Sequence, residues 1–276
     1  MIDHPATAAM AHTALEYAGM AIGVALYRQN RSAQGLGGLT QPGGFAIIVG
    51  LLAGAGLGNK LVFLIERPDV AQLLWAGQWV WPGQSIVGGL LGGLVGVELA
   101  KAWTGQTRST GDAMVWPLAV GIAIGRVGCF LAGLHDDTYG LPTARAWAVD
   151  FGDGVPRHPT QLYDLLAVLV LAWAATAGHR RLAAVPGLQF KLFLAGYLAW
   201  RLLVDGLKPV RVPYPGGISG IQWACALALA LYLPVCMRAW ARFARLAEGG
   251  RVVSRLGAMA KAPSGGPRRT SGRTTP

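Results

Sequence analysis

About seven times along its 276 residues this sequence runs for roughly 20 positions on almost unbroken apolar side chains. The runs lie near 6–27, 43–65, 86–103, 113–134, 160–178, 188–204 and 218–236. At the rise of an α-helix, about 20 residues match a hydrocarbon core about 30 Å thick. Inside lipid every backbone N–H and C=O must find its partner within the segment, so such runs must be helices. Only 13% of the residues are charged, against about 25% in an ordinary soluble domain. The expected fold is all-α, a polytopic transmembrane bundle of about seven helices spanning 1–237.

The 40 glycines suit close helix packing in lipid. Gly88-Gly89, Gly92-Gly93 and Gly96 give the third run a small-residue face. The formal charge of +11 suggests nucleic acid only superficially. Residues 238–276 hold nine Arg or Lys against Glu248 alone. Such a tail after a last helix fits the positive-inside rule and attraction to anionic headgroups. No nucleic-acid partner is expected. The whole of 238–276 is expected to be a basic, disordered cytoplasmic tail, most clearly in its Pro/Gly/Ser/Thr-rich end from 262 onward.

Loop charges nearly balance. Arg28 and Arg31, Lys101 and Arg108, and Arg180 and Arg181 mark one side. Lys60, Arg67, Arg145, Arg157, Lys208 and Arg211 mark the other. The basic tail decides for a cytoplasmic C-terminus and an N-terminus outside. The first run lacks a basic leader and cleavage site, so it reads as a retained helix. Cys129, Cys225 and Cys236 fall in or at the ends of runs, with no CxxC spacing and no disulfide framework. No internal repeat is evident, which argues against an inverted-repeat transporter.

Arg126, at the end of an apolar run, needs a reason: a lone guanidinium in lipid costs roughly several kcal/mol, so an intramembrane charge is a functional suspect by default. No acidic residue stands four positions away. Arg201 lies in GYLAWRLLVD with Asp205 one turn on, on the same helix face. Arg157 and His158 precede the fifth run, Gln161 and Tyr163 open it, and Gln222 follows Ser219 at the start of the last. By the topology above these groups share the outer half of the bundle. Two buried arginines with uncharged donors at one depth suit a phosphate. Plainer accounts stand beside this one. Arg201 and Asp205 also read as an intramembrane ion pair, Arg157 as a residue snorkelling to headgroups, and HPTQLYD as a proline-led helix start with Tyr163 at the interface. His135, Asp136, Asp137 and His158 match no metal-ligand spacing, so neither metal nor cofactor is expected. No nucleophile elbow marks a serine hydrolase.

Taken together, the motifs resemble the prolipoprotein diacylglyceryl transferases of bacterial inner membranes. GRVGCFLAG followed by Tyr139-Gly140 resembles the family's Arg-containing segment, and RHPTQLYD its RHPSQLYE. SIVGGLLGG resembles its HGG segment, GYLAWRLLVD its late Arg helix, and ISGIQW its LSMGQ segment, in the family's order over most of 12–236. The resemblance implies a multi-pass inner-membrane enzyme. It would pass a diacylglyceryl group from phosphatidylglycerol to a lipobox cysteine in a prolipoprotein signal peptide, releasing glycerol phosphate. Arg126 and Arg201 would hold phosphate and stabilise the leaving group. Gly88, Gly89, Gly140, Arg157, Gln161, Tyr163 and Gln222 would line the lipid site. The pattern also departs: the HGG histidine aligns with Val87, the GNF asparagine with Cys129, and a first-helix tyrosine with Ala18. The acid of the GEL stretch has no clean counterpart, and GAGLGNK stands where an arginine is usual. The base for the thiol would then move to His158 first, or to His135, Asp136 or Asp137. A headgroup-binding relative without this activity, or with another acceptor, is the alternative.

Overall fold

The computed structural model describes residues 2, 4–35, 42–80, 83–210 and 212–260. Its helices are α1 (Pro5–Ala33), α2 (Pro42–Glu66), α3 (Pro68–Trp75), α4 (Ile86–Thr104), α5 (Val115–Ala132), α6 (Thr160–Thr176), α7 (His179–Leu182), α8 (Leu188–Val204) and α9 (Gly220–Ala260). Each apolar run falls on a helix, while the short α3 and α7 were not foreseen. Among the described residues, four segments are long and apolar enough to cross a membrane: Gly43–Glu66, Ile86–Thr104, Asp112–Asp136 and Gly220–Gly249. The Thr160–Thr176 helix is apolar but shorter. The last helix continues past position 237, where the composition turns basic, to Ala260. Arg211 and residues 261–276, which include the Pro/Gly/Ser/Thr-rich end, lie outside the described residues.

Glycine decides two helix pairs. Gly50, Gly54 and Gly58 of α2 meet Gly96, Gly92 and Gly88 of α4, so the pair runs antiparallel. A Cβ at Gly54 or Gly92 would overlap the other's carbonyl, so only glycine lets these backbones touch. Gly19 of α1 likewise packs on Gly121 of α5, where an added Cβ would stand 2.8 Å from the Gly121 carbonyl oxygen. The buried core joins α4, α5, α6, α8 and α9 through Val87, Ala119, Val168, Phe193, Leu198 and Cys225. Cys225 and Cys236 are buried and free, as packing residues would be. Leu52, Leu99, Leu166 and Leu231 face outward and exposed, the normal surface of a bundle solvated by acyl chains.

Helix starts are tied to distant elements. The Asp112 carboxylate accepts from the Gly187 and Phe190 amides at 2.6 and 3.0 Å, capping α8 from the turn before α5. Ser219 and Gln222 form a capping box at α9: Gln222 N–H donates to Ser219 Oγ at 3.1 Å and Ser219 N–H to Gln222 Oε1 at 2.9 Å. Glu66 at the end of α2 accepts from the Ile221 amide at 2.8 Å. Among the described residues, one small antiparallel hairpin interrupts the helices, β1 (Val149–Asp150) on β2 (Pro156–Arg157). Asp150 Oδ1 accepts from the Gly152, Asp153 and Gly154 amides at 2.8, 3.2 and 3.0 Å, which closes its turn.

Candidate active site

Three helices bring charge to one buried point. Asp164, fully buried on the second turn of α6, has Oδ2 at 3.0 Å from Arg126 Nη2 of α5 and 2.9 Å from Arg201 Nη1 of α8. Its other oxygen accepts from Trp200 Nε1 at 2.8 Å. Arg201 Nη2 donates to Asp205 at 2.5 Å. Lys208 Nζ lies 3.5 Å from Asp164 and 3.4 Å from Asp205. Arg126 is thus not a lone charge. The i±4 reading missed its partner because the neutralising carboxylate is supplied across the helix interface. The Arg201–Asp205 pair on one helix face is present as the spacing indicated.

Among the described residues in direct ion-pair contact there, three cations (Arg126, Arg201 and Lys208) face two carboxylates (Asp164 and Asp205), an excess of one positive charge in a nearly dry place, with the Glu66 carboxylate beyond them at the start of α9. Polar capacity is also left over. Among the described residues, Arg126 Nε, Arg201 Nε and both amide atoms of Gln161 are buried without hydrogen-bond partners, and the buried Tyr197 hydroxyl has only the Arg126 guanidinium within reach. Buried polar groups are normally paired, and an unpaired one costs about 1–3 kcal/mol. Gln161 stands one turn before Asp164, and Tyr197 one turn before Arg201, within electrostatic reach of both arginines. Unspent donors beside a net positive charge are what an oxyanion needs.

The remaining residues from the sequence motifs are placed elsewhere or given other partners. Arg157 sits on the hairpin, its guanidinium on both Asp153 oxygens at 2.6 and 2.7 Å and 5.2 Å from the Tyr139 ring centroid. There the guanidinium holds the Asp153 carboxyl below the usual aspartate range, and the carboxylate raises Arg157. His158 Nδ1 is 3.1 Å from the Tyr163 hydroxyl, which also accepts from Trp147 Nε1 at 2.6 Å. Gly140 has no room for a Cβ beside His158 and Thr160, and its N–H donates to the His158 carbonyl at 3.0 Å. Gly88 is committed to the contact with Gly58, and Gly89 lies beside Asn59. Gln222 spends its amide on the capping box and on the Leu202 carbonyl at 2.9 Å.

A second cluster adjoins the first. His12 of α1 presents Nε2 to Cys129 Sγ at 3.6 Å and Nδ1 to Asp136 Oδ1 at 3.2 Å. Cys129 Sγ is in turn 3.7 Å from Arg126 Nη1. Among the described residues, Asp136 joins His12 and Cys129, and not His135, Asp137 and His158. Of the clustered groups, Asp164, Lys208, Tyr197 and His12 escaped the sequence reading as site residues. Asp164 was in view as the last letter of RHPTQLYD, and Tyr197 has the i−4 spacing to Arg201. Nothing local marks His12.

A family model described as prolipoprotein diacylglyceryl transferase matches residues 9–238. Three relatives named phosphatidylglycerol–prolipoprotein diacylglyceryl transferase are similar over much of their length. That of Polynucleobacter asymbioticus is 31% identical, over 68% of this chain and 74% of its own. That of Polynucleobacter necessarius subsp. necessarius is 33% identical, over 66% and 70%. That of an Azoarcus species is 31% identical, over 64% and 69%. With that match covering the helices that build the charged cluster, the chain belongs to the prolipoprotein diacylglyceryl transferase family.

Proposed function

We propose that this chain transfers the diacylglyceryl group of phosphatidylglycerol to the cysteine thiol of a prolipoprotein. The sulfur forms a bond to the glyceryl carbon, the C–O bond to phosphate breaks, and glycerol phosphate leaves with the electron pair. The thiol proton passes to a base. The observation that carries this reading is the buried cluster on Asp164, with net positive charge and unspent donors. Arg126 and Arg201 hold the phosphate and stabilise the charge that grows on it as the bond breaks, with Gln161 and Lys208 beside them. Asp164 holds the two guanidinium groups together. The lipid site extends along Gly88, Gly89, Gly140, Arg157, Tyr163 and Gln222. Their roles differ: the glycines set backbone approach, Gln222 caps α9 and ties it to the end of α8, and Arg157 and Tyr163 hold the outer loop at the headgroup level.

The frame for this chemistry is a multi-pass bundle in the bacterial inner membrane. All seven apolar runs cross it, with the N-terminus outside and the basic tail, 238–276, in the cytoplasm. The acceptor arrives as a signal peptide with its lipobox cysteine at the outer half of the bundle, where Arg126 lies. His158, in the motif segment, is the first candidate for the base, although its Nδ1 is already turned to Tyr163.

The test uses purified protein in phosphatidylglycerol-containing micelles and a labelled lipobox peptide with one cysteine. A diacylglyceryl mass increment on the peptide and released glycerol phosphate are expected, both abolished by Arg126→Ala. Lipid binding with no increment would leave a headgroup-binding relative instead.

A further inference from the structure

Three side chains crowd the ring of His12 on α1. Nε2 is 3.6 Å from Cys129 Sγ of α5 and 3.4 Å from Glu16 Oε1, one turn along α1. Nδ1 is 3.2 Å from Asp136 Oδ1, in the 3₁₀ turn that follows α5. Among the described residues, His12, Cys129 and Asp136 gather ligand atoms within 4.8 Å of one another. We propose that His12, Cys129 and Glu16 form a zinc site, with Asp136 as the outer partner that fixes the imidazole. This goes beyond the transfer reaction and does not rest on it.

The donor set selects the metal. An imidazole, a thiolate and a carboxylate are the ligand types of tetrahedral zinc. Magnesium and calcium take shells of oxygen and have no use for the sulfur or the ring. Copper(I) favours sulfur over carboxylate. Distances agree with zinc as well. With zinc–ligand bonds of about 2.0–2.3 Å, the tetrahedral edges are about 3.5 Å for N···S and about 3.4 Å for N···O. The separations from Nε2, 3.6 Å to Sγ and 3.4 Å to Oε1, match those two edges. The side chains of His12 and Glu16 are 23% and 36% open, which gives an ion an entry path and leaves the fourth position to water.

Asp136 completes the arrangement. A histidine bound to a metal through one nitrogen almost always donates its other N–H to a carboxylate, a carbonyl or water, which sets the ring orientation. Asp136 Oδ1 stands in that position, and its Oδ2 accepts from the Thr138 hydroxyl. Zinc competes here with a proton. A carboxylate against each ring nitrogen suits a doubly protonated ring, with Nδ1–H donating to Asp136 and Nε2–H to Glu16. The ion takes the place of the Nε2 proton and of the Cys129 thiol proton, and both are released to solvent. The thiolate and the Glu16 carboxylate then balance its charge. Arg126 Nη1, 3.7 Å from Sγ, donates to the ligating sulfur.

Backbone packing brings the ligands together. A Cβ at Gly128 would stand 3.1 Å from His12 Cδ2 and 3.3 Å from the His12 backbone, so glycine there lets α1 lie against α5. The Ile2 amide donates to the Leu131 carbonyl at 3.2 Å, which ties the start of α1 to the end of α5. His12 and Glu16, four positions apart, share one helix face. A single ion staples the two helices beside Arg126.

The test uses the full chain without a polyhistidine tag, stripped by a chelator and held in detergent micelles at neutral pH. Zn²⁺ binding is measured by equilibrium dialysis with elemental analysis, and Co²⁺ binding by absorption. The parent is expected to hold one Zn²⁺ per chain, and Co²⁺ to give a thiolate-to-metal charge-transfer band that is lost in Cys129→Ser. His12→Gln, Glu16→Gln and Cys129→Ser should each weaken Zn²⁺ binding at least about 100-fold, and Asp136→Asn about 10–100-fold. His135→Gln, at an exposed neighbour, should bind like the parent. In the parent itself, Zn²⁺ should slow alkylation of Cys129 by a small thiosulfonate at least about tenfold, since a ligated sulfur is not free to react. Peptide mass spectrometry reads this, and no variant has to fold. The proposal is overturned if Zn²⁺ leaves that alkylation unchanged, if the Co²⁺ spectrum lacks the thiolate band, or if His12→Gln binds like the parent. Equal, weak binding by every variant would be surface metal only and would overturn it too. None of these readouts involves lipid transfer, so failure here is distinct from failure of the peptide assay.

Discussion

Replacing Asp164 with asparagine removes one negative charge from a buried point where Arg126, Arg201 and Lys208 converge. Asparagine keeps the shape and an oxygen for Trp200 Nε1, so the change is almost purely electrostatic. At 2.9–3.0 Å and an effective dielectric of about 20, each Arg–carboxylate contact has a gross Coulomb energy of about 5 kcal/mol. Desolvation offsets most of that in the intact pair, but not once one partner is gone. Breaking a buried pair by deleting one side costs about 3–5 kcal/mol. At about 2–4 °C per kcal/mol for a chain of this size, the melting midpoint should fall by about 10 °C. Tryptophan-fluorescence melts in detergent micelles read this directly. The combination with Arg126→Gln removes an excess cation as well, so the double variant should recover part of the loss, with a coupling of about 1–3 kcal/mol. An Asp164→Asn protein that melts with the parent, and shows no coupling to Arg126, would refute the view that this carboxylate holds the arginines together.

Gly92→Leu should separate α2 from α4, because the new Cβ meets the Gly54 carbonyl. Cysteine crosslinking between the two helices should drop several-fold and the protein should melt earlier. Asp112→Ala leaves the first amides of α8 without their acceptor and should cost about 1 kcal/mol, seen as faster hydrogen exchange at Gly187 and Phe190. Acid should loosen the hairpin at 149–157. The Asp153 carboxyl is held below its ordinary range by Arg157, so its contribution is complete above about pH 4 and is lost as pH falls through the depressed value. Proteolysis of that loop at low pH should rise, and Asp153→Asn should show the same susceptibility at neutral pH.

What the sequence determined by itself is that each long apolar run is helical, and the family. Span length and apolarity are local properties: 188–204 was expected to be helical and α8 occupies Leu188–Val204, while α4 begins at Ile86 as its apolar run does. The RHPTQLYD and GRVGCF segments carried the family for a related reason, since short motifs are read without knowing what they touch. The short hairpin was not visible, because two-residue strands leave no periodicity to detect. Which groups meet was decided by tertiary packing alone. Arg126 looked unpaired because its carboxylate, Asp164, comes from the next long helix and is brought to it by the packing of α5 on α6. Arg157 and Gln222 looked like members of the same donor cluster, but Asp153 and the α9 capping box claim their side chains. His12 gave no signal in its own segment. Only packing, with no side chain at Gly128 to obstruct it, sets the ring between Cys129 and Asp136. A sequence specifies which backbone groups are satisfied within each helix, but the partner of a buried charge is whatever side chain the packed bundle presents across the interface.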